Sequence, residues 1–260
     1  MSLSLSIIIP AYNEQARIGA SLAEVLRFAQ ARPGGAEVIV VDDGSTDGTA
    51  DLVSAFIAEH AGGEAALRLL RHEHNQGKGA GVRTGFQHAA GEIVLFTDAD
   101  LSAPIDEAPR LIEPILAGEC DVAIGSRALA GSVIQVRQSW LRRSMGRVFN
   151  RLVRAWTGLD IRDTQCGFKA FRRAAMAPAF AVQRVSGFAF DVELLYLARK
   201  LGLRVREVPV TWNHVGDSRV SLVFDSAAMF VELLKVRWND RRGGYDGLEN
   251  RGEGRETHSY

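Results

Sequence analysis

The chain has 260 residues, 47% of them hydrophobic and 24% charged, with basic and acidic side chains equal at 31 each. That balance excludes wholesale disorder, collagen-like repeats and a disulfide-stapled mini-protein, and zero net charge gives no reason to expect a nucleic-acid binder. The length suits one large α/β domain or two small ones, folded by burial alone.

Leu5–Ile9, Val38–Val41, Leu67–Arg71, Ile93–Thr97 and Val122–Ile124 read as short strands. Between them, Glu14–Gln30, Thr49–Glu59, Gly79–Ala89 and Glu107–Leu116 read as helices. The alternation predicts an α/β fold, a Rossmann-like, mainly parallel sheet flanked by helices. Right-handed crossovers put the turns after successive strands along one edge, where open α/β sheets bind ligands. Met1–Pro10 lacks the basic and long apolar regions of a signal peptide and reads as a strand. Leu222–Leu234, interrupted by Asp225 and Glu232, is shorter than the roughly 20 residues of a spanning helix, so no transmembrane segment is expected. Cys120 and Cys166 form no CxxC pair, which suggests neither zinc nor a disulfide framework and makes the cytoplasm the expected compartment.

The strand ends carry carboxylates: Pro10-Ala-Tyr-Asn-Glu14, Asp42-Asp-Gly-Ser-Thr-Asp47 and Asp98-Ala-Asp100. Such a cluster repels itself unless a cation or hydrogen-bond donors compensate, and oxygen ligands without His or Cys favour Mg²⁺ or Mn²⁺. The plainer reading of any one carboxylate is a turn or helix cap, and Asp47 is read that way first. Asn75-Gln-Gly-Lys-Gly-Ala-Gly81 could cradle phosphate, yet Gly79 follows Lys78 where a Walker loop needs Ser or Thr, and Val82 occupies the last glycine position of GxGxxG. What remains is a turn into a helix with Lys78 available to a phosphate or carboxylate, beside the alternative of tight packing.

In this order, Ile9-Pro-Ala-Tyr-Asn-Glu14, Val41-Asp-Asp-Gly-Ser-Thr-Asp47, Asn75-Gln-Gly-Lys-Gly79, Asp98-Ala-Asp100 and Gly125-Ser-Arg127 resemble a family 2 glycosyltransferase of the GT-A fold. Asp163-Thr-Gln-Cys-Gly-Phe-Lys-Ala-Phe171, Ala189-Phe-Asp-Val-Glu-Leu-Leu-Tyr196, Val210-Thr-Trp-Asn213 and Gly216-Asp-Ser-Arg219 narrow the likeness to the dolichyl-phosphate β-glucosyltransferase branch, related to dolichyl-phosphate mannose synthases. The sequence departs at Arg219, where the usual residue of relatives is Lys, and at Ser102, where mannose synthases often carry Gln. The resemblance implies a single GT-A domain over residues 1–242. It implies Pro10, Ala11, Tyr12 and Glu14 at the nucleobase, Asp43 at the nucleoside, Lys78 and Ala99 in the donor site, and Asp98 and Asp100 on a Mg²⁺ or Mn²⁺ ion. Tyr12 could equally be a half-buried wall residue.

Between Arg127 and Arg154 the chain holds seven arginines and no acid. Within 137–156, Leu141, Met145, Val148, Phe149, Leu152 and Trp156 share one helical side, opposite Arg143, Arg147, Asn150 and Arg154. Leu222–Asn239 offers a second stripe through Val223, Ala227, Phe230, Val231, Leu234 and Trp238. Both fit either an anionic membrane surface or packing on the core.

An ionised lipid phosphate needs no general base, only cations to bring it near the anionic donor. Arg127, Arg143 and Arg219 are the candidates, Arg127 also for catalysis with Asp100. Asp163 is the candidate base for a hydroxyl acceptor, or else a brace for the Gly167 turn. The expected activity is inverting transfer of a hexose, glucose from UDP-glucose first, to a polyprenyl phosphate by a protein peripheral to the cytoplasmic face of a membrane. The rivals are another hexose, a soluble or saccharide acceptor, and a nucleotide-sugar-binding regulator without turnover. Residues 243–260, glycine-rich and charged, are expected to be a disordered tail.

Overall fold

A computed structural model describes residues 4–63, 65–134, 150–213, 224–246 and 248. Its centre is a seven-stranded sheet in the order β3-β2-β1-β4-β7-β5-β8. The strands are β1 (Leu5–Ala11), β2 (Ala36–Asp42), β3 (Ala66–Arg71), β4 (Ile93–Thr97), β5 (Val122–Ser126), β7 (Phe168–Arg172) and β8 (Val205–Pro209). β6 (Val133–Ile134) and β9 (Thr211–Trp212) form a separate two-stranded ladder. β1 runs parallel to β2 and β4, and β2 to β3. β7 is antiparallel to both its neighbours, and β5 pairs parallel with β8.

Alternation along the strands fills two cores. Leu5, Ile7 and Ile9 of β1, with Val38 and Val40 of β2, face the side covered by α1 (Ile18–Gln30), α2 (Thr49–Glu59) and α4 (Ala108–Leu116). Ile8, Ile39 and Val41 face the opposite side, with α3 (Lys78–His88), α6 (Arg173–Val182), α7 (Phe190–Lys200) and α8 (Phe224–Arg241). The described residues 150–157 are also helical (α5). α3 lies close on β1 because Gly85 has no Cβ to meet Ile8, whose Cγ2 would stand 2.4 Å away.

The register explains where the site forms. Ala11 pairs with Asp42 and Thr97 with Phe168, so β1, β2 and β4 end at the edge where antiparallel β7 begins. Ser126 pairs with Pro209, which brings the ends of β5 and β8 to that edge too.

Several expectations need correction. The first helix starts at Ile18, not Glu14, because Glu14–Arg17 form a turn in which the Glu14 carbonyl accepts from the Arg17 and Ile18 amides. Asp47, one residue before the Gly48 N-cap of α2, accepts from the Thr49 amide at 3.0 Å, in keeping with the turn role read for it first. Beyond residue 242 the chain is not wholly loose: Tyr245 and Leu248 are buried in the second core, and the Tyr245 hydroxyl donates to Glu193 at 2.5 Å. Of the two apolar stripes, the described Leu152, Trp156, Phe230, Val231, Leu234 and Trp238 are exposed, while Val153, Leu233 and Val236 beside them face inward. Arg143 and Arg219, with most of 137–156, lie outside the described residues.

Candidate active site

At the end of β1, Asn13 adopts a left-handed conformation at φ 54°. Its side-chain oxygen accepts from the Thr46 amide at 2.8 Å and the Asp47 amide at 3.3 Å, binding the β1 and β2 loops together. Pro10 and Ala11 are buried, whereas Tyr12 is exposed. The Glu14 carboxylate accepts from Arg17 Nη2 at 2.9 Å.

Asp43 is almost fully buried and both its oxygens are occupied. Oδ1 accepts from the Gln76 amide at 2.9 Å and faces His72 Nδ1 at 2.7 Å; Oδ2 accepts from the Gly77 amide at 2.8 Å. This geometry makes Asp43 the organiser of the Asn75–Gly79 turn. Gly77 is required there: at φ 100°, a Cβ would lie 2.4 Å from the Ser186 carbonyl oxygen.

That turn presents Lys78 to Asp98, Nζ to Oδ1 at 2.5 Å. Burial alone would lower the Lys78 pKa, but Asp98, Asp191 and Asp100 outweigh it and hold the ammonium above its ordinary value. Asp98 also presses on Gly167, where a Cβ would meet Oδ2 at 2.1 Å, so the Asp163–Gly167 turn fits only with glycine at that point. Asp100 accepts from the Ser102 amide at 2.9 Å, and Leu101 between them has φ 46°, an uncommon conformation for a γ-branched residue. Ala99 is buried and its carbonyl accepts from Ser21 Oγ at 2.6 Å, which pins the turn to α1 rather than offering a side chain to a donor.

Across the edge, Arg127 grips Asp163. Nε donates to Oδ2 at 2.7 Å, Nη2 to Oδ1 at 2.8 Å, and the Arg127 amide to Oδ2 at 2.9 Å. The guanidinium stacks on Trp212, 4.7 Å from the ring centroid. Burial would raise the Asp163 pKa and lower that of Arg127, but their mutual attraction reverses both shifts. Both Asp163 oxygens are taken up by Arg127, so the carboxylate braces the turn before β7.

Sequence reasoning missed the layer beneath. Lys169, fully buried, donates to Asp191 at 2.7 Å and to the Cys166 carbonyl at 2.5 Å. Two cations approach the Phe96 ring, Lys169 Nζ at 5.3 Å and Lys78 Nζ at 6.0 Å from its centroid. The signal was present as charges set inside apolar runs, Phe168-Lys-Ala-Phe171 and Ala189-Phe-Asp-Val-Glu193. Cys166 lies in the same place, its thiol pushed up to about 12 mainly by burial.

Among the described residues no cluster of three or more His, Cys, Asp or Glu side chains could hold a metal ion, and no helix is long and apolar enough to cross a membrane. Two hard carboxylates, Asp98 and Asp100, still suit Mg²⁺ or Mn²⁺, which commonly takes one or two protein carboxylates and completes its shell with water and substrate phosphate. On another face, α5 and α8 enclose an open groove of about 440 Å³ lined by Trp156, Val231, Leu234 and Trp238 with Lys235, Arg237 and Arg241.

The family model for Glycosyl transferase family 2 matches residues 6–178. The chain is 35% identical over 246 residues to a dolichyl-phosphate beta-glucosyltransferase of Saccharomyces cerevisiae, covering 90% of this chain and 74% of that one. It is 39% identical over 245 residues to the Drosophila melanogaster protein of the same name, again covering 90% and 74%. Among solved structures it resembles glucosyl-3-phosphoglycerate synthase from Mycobacterium tuberculosis in complex with Mn²⁺, UDP and glucosyl-3-phosphoglycerate, with a TM-score of 0.66 and 22% identity, covering 93% of this chain and 80% of that chain.

Proposed function

The chain belongs to glycosyl transferase family 2, and from that premise we propose that it transfers glucose from UDP-glucose to a polyprenyl phosphate of the dolichyl type, inverting the anomeric carbon. The observation that carries the reading is the meeting of Lys78, Asp98 and Asp100 at the end of β4, beside the glycine turn at the start of α3. The Lys78 ammonium suits a diphosphate, and the two carboxylates suit the divalent ion that accompanies one; the Gly79 and Ala80 amides at the helix start are taken by the Ser186 carbonyl. The names of the relatives support glucose and the lipid phosphate.

Asp98 and Asp100 are the residues that would hold Mg²⁺ or Mn²⁺; when bound, the ion stabilises the charge of the departing diphosphate as a Lewis acid. Lys78 adds a fixed positive charge to the same oxygens. Tyr12 offers its exposed ring to the base, with the Pro10–Ala11 backbone and Glu14 as the pocket border. Ala99 contributes only main chain, and Asp43 acts through the amides it holds at Gln76 and Gly77.

On the acceptor side, Arg127 spends Nε–H and one Nη2–H on Asp163, leaving further donors for an anionic oxygen. Asp163 fixes that orientation, and Arg143 and Arg219 supply further charge for the phosphate. The nucleophile is the ionised phosphate oxygen itself, so its bond to the anomeric carbon forms as the bond to the UDP oxygen breaks, and no protein group takes up a proton. The exposed stripes of α5 and α8, with Lys235, Arg237 and Arg241 among them, would rest on an anionic, cytoplasm-facing lipid surface.

The acceptor is tested by competition. Polyprenyl phosphate is expected to take glucose in the presence of excess phosphoglycerate without loss; preferential glucosylation of the small phosphate would assign the protein to a soluble acceptor instead.

A further inference from the structure

Residues 183–189 cross from α6 to α7 as a short strap whose upper side lies directly on the glycine turn. The Ser186 carbonyl accepts from the Gly79 amide at 2.7 Å and the Ala80 amide at 3.3 Å. Gln183 Nε2 donates to the Gly79 carbonyl at 3.0 Å and to Val185 O at 3.0 Å. The turn that carries Lys78 therefore takes its height from the strap.

The strap is itself fixed by two carboxylates from separate helices. Glu193 of α7, fully buried, accepts from the Val185 amide at 2.8 Å and the Arg184 amide at 3.0 Å. Glu232 of α8 accepts from the Ala189 amide at 3.0 Å. Ala189 precedes the first residue of α7, so its N–H has no partner within that helix, and an anion there is favoured by the helix dipole. The fit is close: a Cβ on Gly187 would stand 2.1 Å from Glu232 Oε1, as one on Gly77 would stand 2.4 Å from Ser186 O. Glu232, Gly187, Ser186 and Gly77 thus form a continuous stack from α8 to Lys78, in contact at every step.

We propose that Glu232 is a positioning residue for donor binding, holding the 183–189 strap so that the Gly77–Lys78 turn keeps its place beside Asp98. The inference rests on the reading of that turn as the diphosphate site. Its sequence signal was an acid interrupting the apolar stripe of α8. The helix it comes from also carries an outward apolar face, so the tether joins that face to the donor turn.

The test measures UDP-glucose dissociation constants with Mn²⁺ present, and the KM for a short-chain polyprenyl phosphate, in Glu232→Leu, Glu232→Gln and Lys78→Gln. Loss of one charge-assisted hydrogen bond corresponds to roughly a tenfold change, so Glu232→Leu is expected to weaken donor binding about 10-fold with acceptor KM unmoved. Glu232→Gln keeps an oxygen acceptor for Ala189 and is expected to stay within about 3-fold of the parent. Unchanged donor affinity in Glu232→Leu, equal losses for donor and acceptor, or no rescue by Gln would overturn the proposal. Unchanged donor affinity in Lys78→Gln would instead remove the diphosphate reading beneath it. If Glu232→Leu does not fold, hydrogen exchange of the parent protein decides: UDP-glucose with Mn²⁺ should protect residues 77–80 and 186–189 together, and protection confined to 77–80 would contradict the tether.

Discussion

Arg127 and Asp163 are joined by three hydrogen bonds of 2.7 to 2.9 Å, two from the guanidinium and one from the Arg127 backbone amide. Asp163 in turn donates its own amide to Glu207 at 3.0 Å, which ties the turn before β7 to β8. Removing one partner leaves a buried charge alone. Asp163→Ala is expected to cost about 3 kcal/mol of stability, and the Arg127→Met/Asp163→Leu double variant less than the sum of its singles, read by denaturant unfolding.

The same pair sets a pH dependence. Burial opposes ionisation of Asp163, but Arg127 prevails and the folded carboxyl sits below its ordinary value. Its stabilisation is complete above the unfolded pKa of about 3.9 and is lost as pH falls through the lower, folded value. Asp163→Asn should therefore flatten the fall in melting temperature below about pH 4. An unchanged acid limb would show that other carboxylates govern it.

Lys78 and Asp100 separate binding from folding. Lys78→Met should weaken UDP-glucose binding by about 10-fold or more, since a charge-assisted contact to phosphate is lost. Asp100→Ala gives up one hydrogen bond to the Ser102 amide, worth about 1 kcal/mol, yet should abolish turnover. Near-normal turnover in Asp100→Ala would refute its place on the metal.

The strand-end chemistry was readable because each element there is short, apolar and closed by a motif: β4 runs Ile93–Thr97 as expected, and Lys78 and Asp98 meet. The antiparallel β7 was not readable. Its pairing with both β4 and β5 depends on partners about 75 and 45 residues away, which local periodicity does not encode. The Lys169–Asp191 pair escaped for the same reason, since each charge makes sense only beside the other. Asp43 showed a further limit: its motif was visible, but not that its oxygens turn toward the Gln76 and Gly77 amides.

Tyr245 and Leu248 of the C-terminal segment belong to the core. Tyr245→Phe removes the hydroxyl that donates to buried Glu193 and should cost about 1–3 kcal/mol. Truncation after residue 242 should cost more, because the buried Tyr245 and Leu248 side chains go with it. Thermal melts with the two variants side by side check the order.

The groove between α5 and α8 makes a separable prediction. Trp156→Ala with Trp238→Ala should lower association with anionic vesicles about 10-fold or more while leaving nucleotide binding intact. Lys235→Gln with Arg241→Gln should reduce both affinity and its salt dependence, each basic residue near the surface being worth about 1 kcal/mol. Vesicle sedimentation at low and high salt reads both.

The most direct measurement incubates the purified protein with Mn²⁺ or Mg²⁺ and a panel of sugar nucleotides, with and without short-chain polyprenyl phosphate, following free nucleotide and lipid-linked sugar together. Glucosyl transfer to polyprenyl phosphate requires UDP release that depends on the lipid and a glucose-bearing lipid phosphate of β configuration in equal amount. UDP release with no lipid product, transfer of a different sugar, or an α-linked product would contradict it.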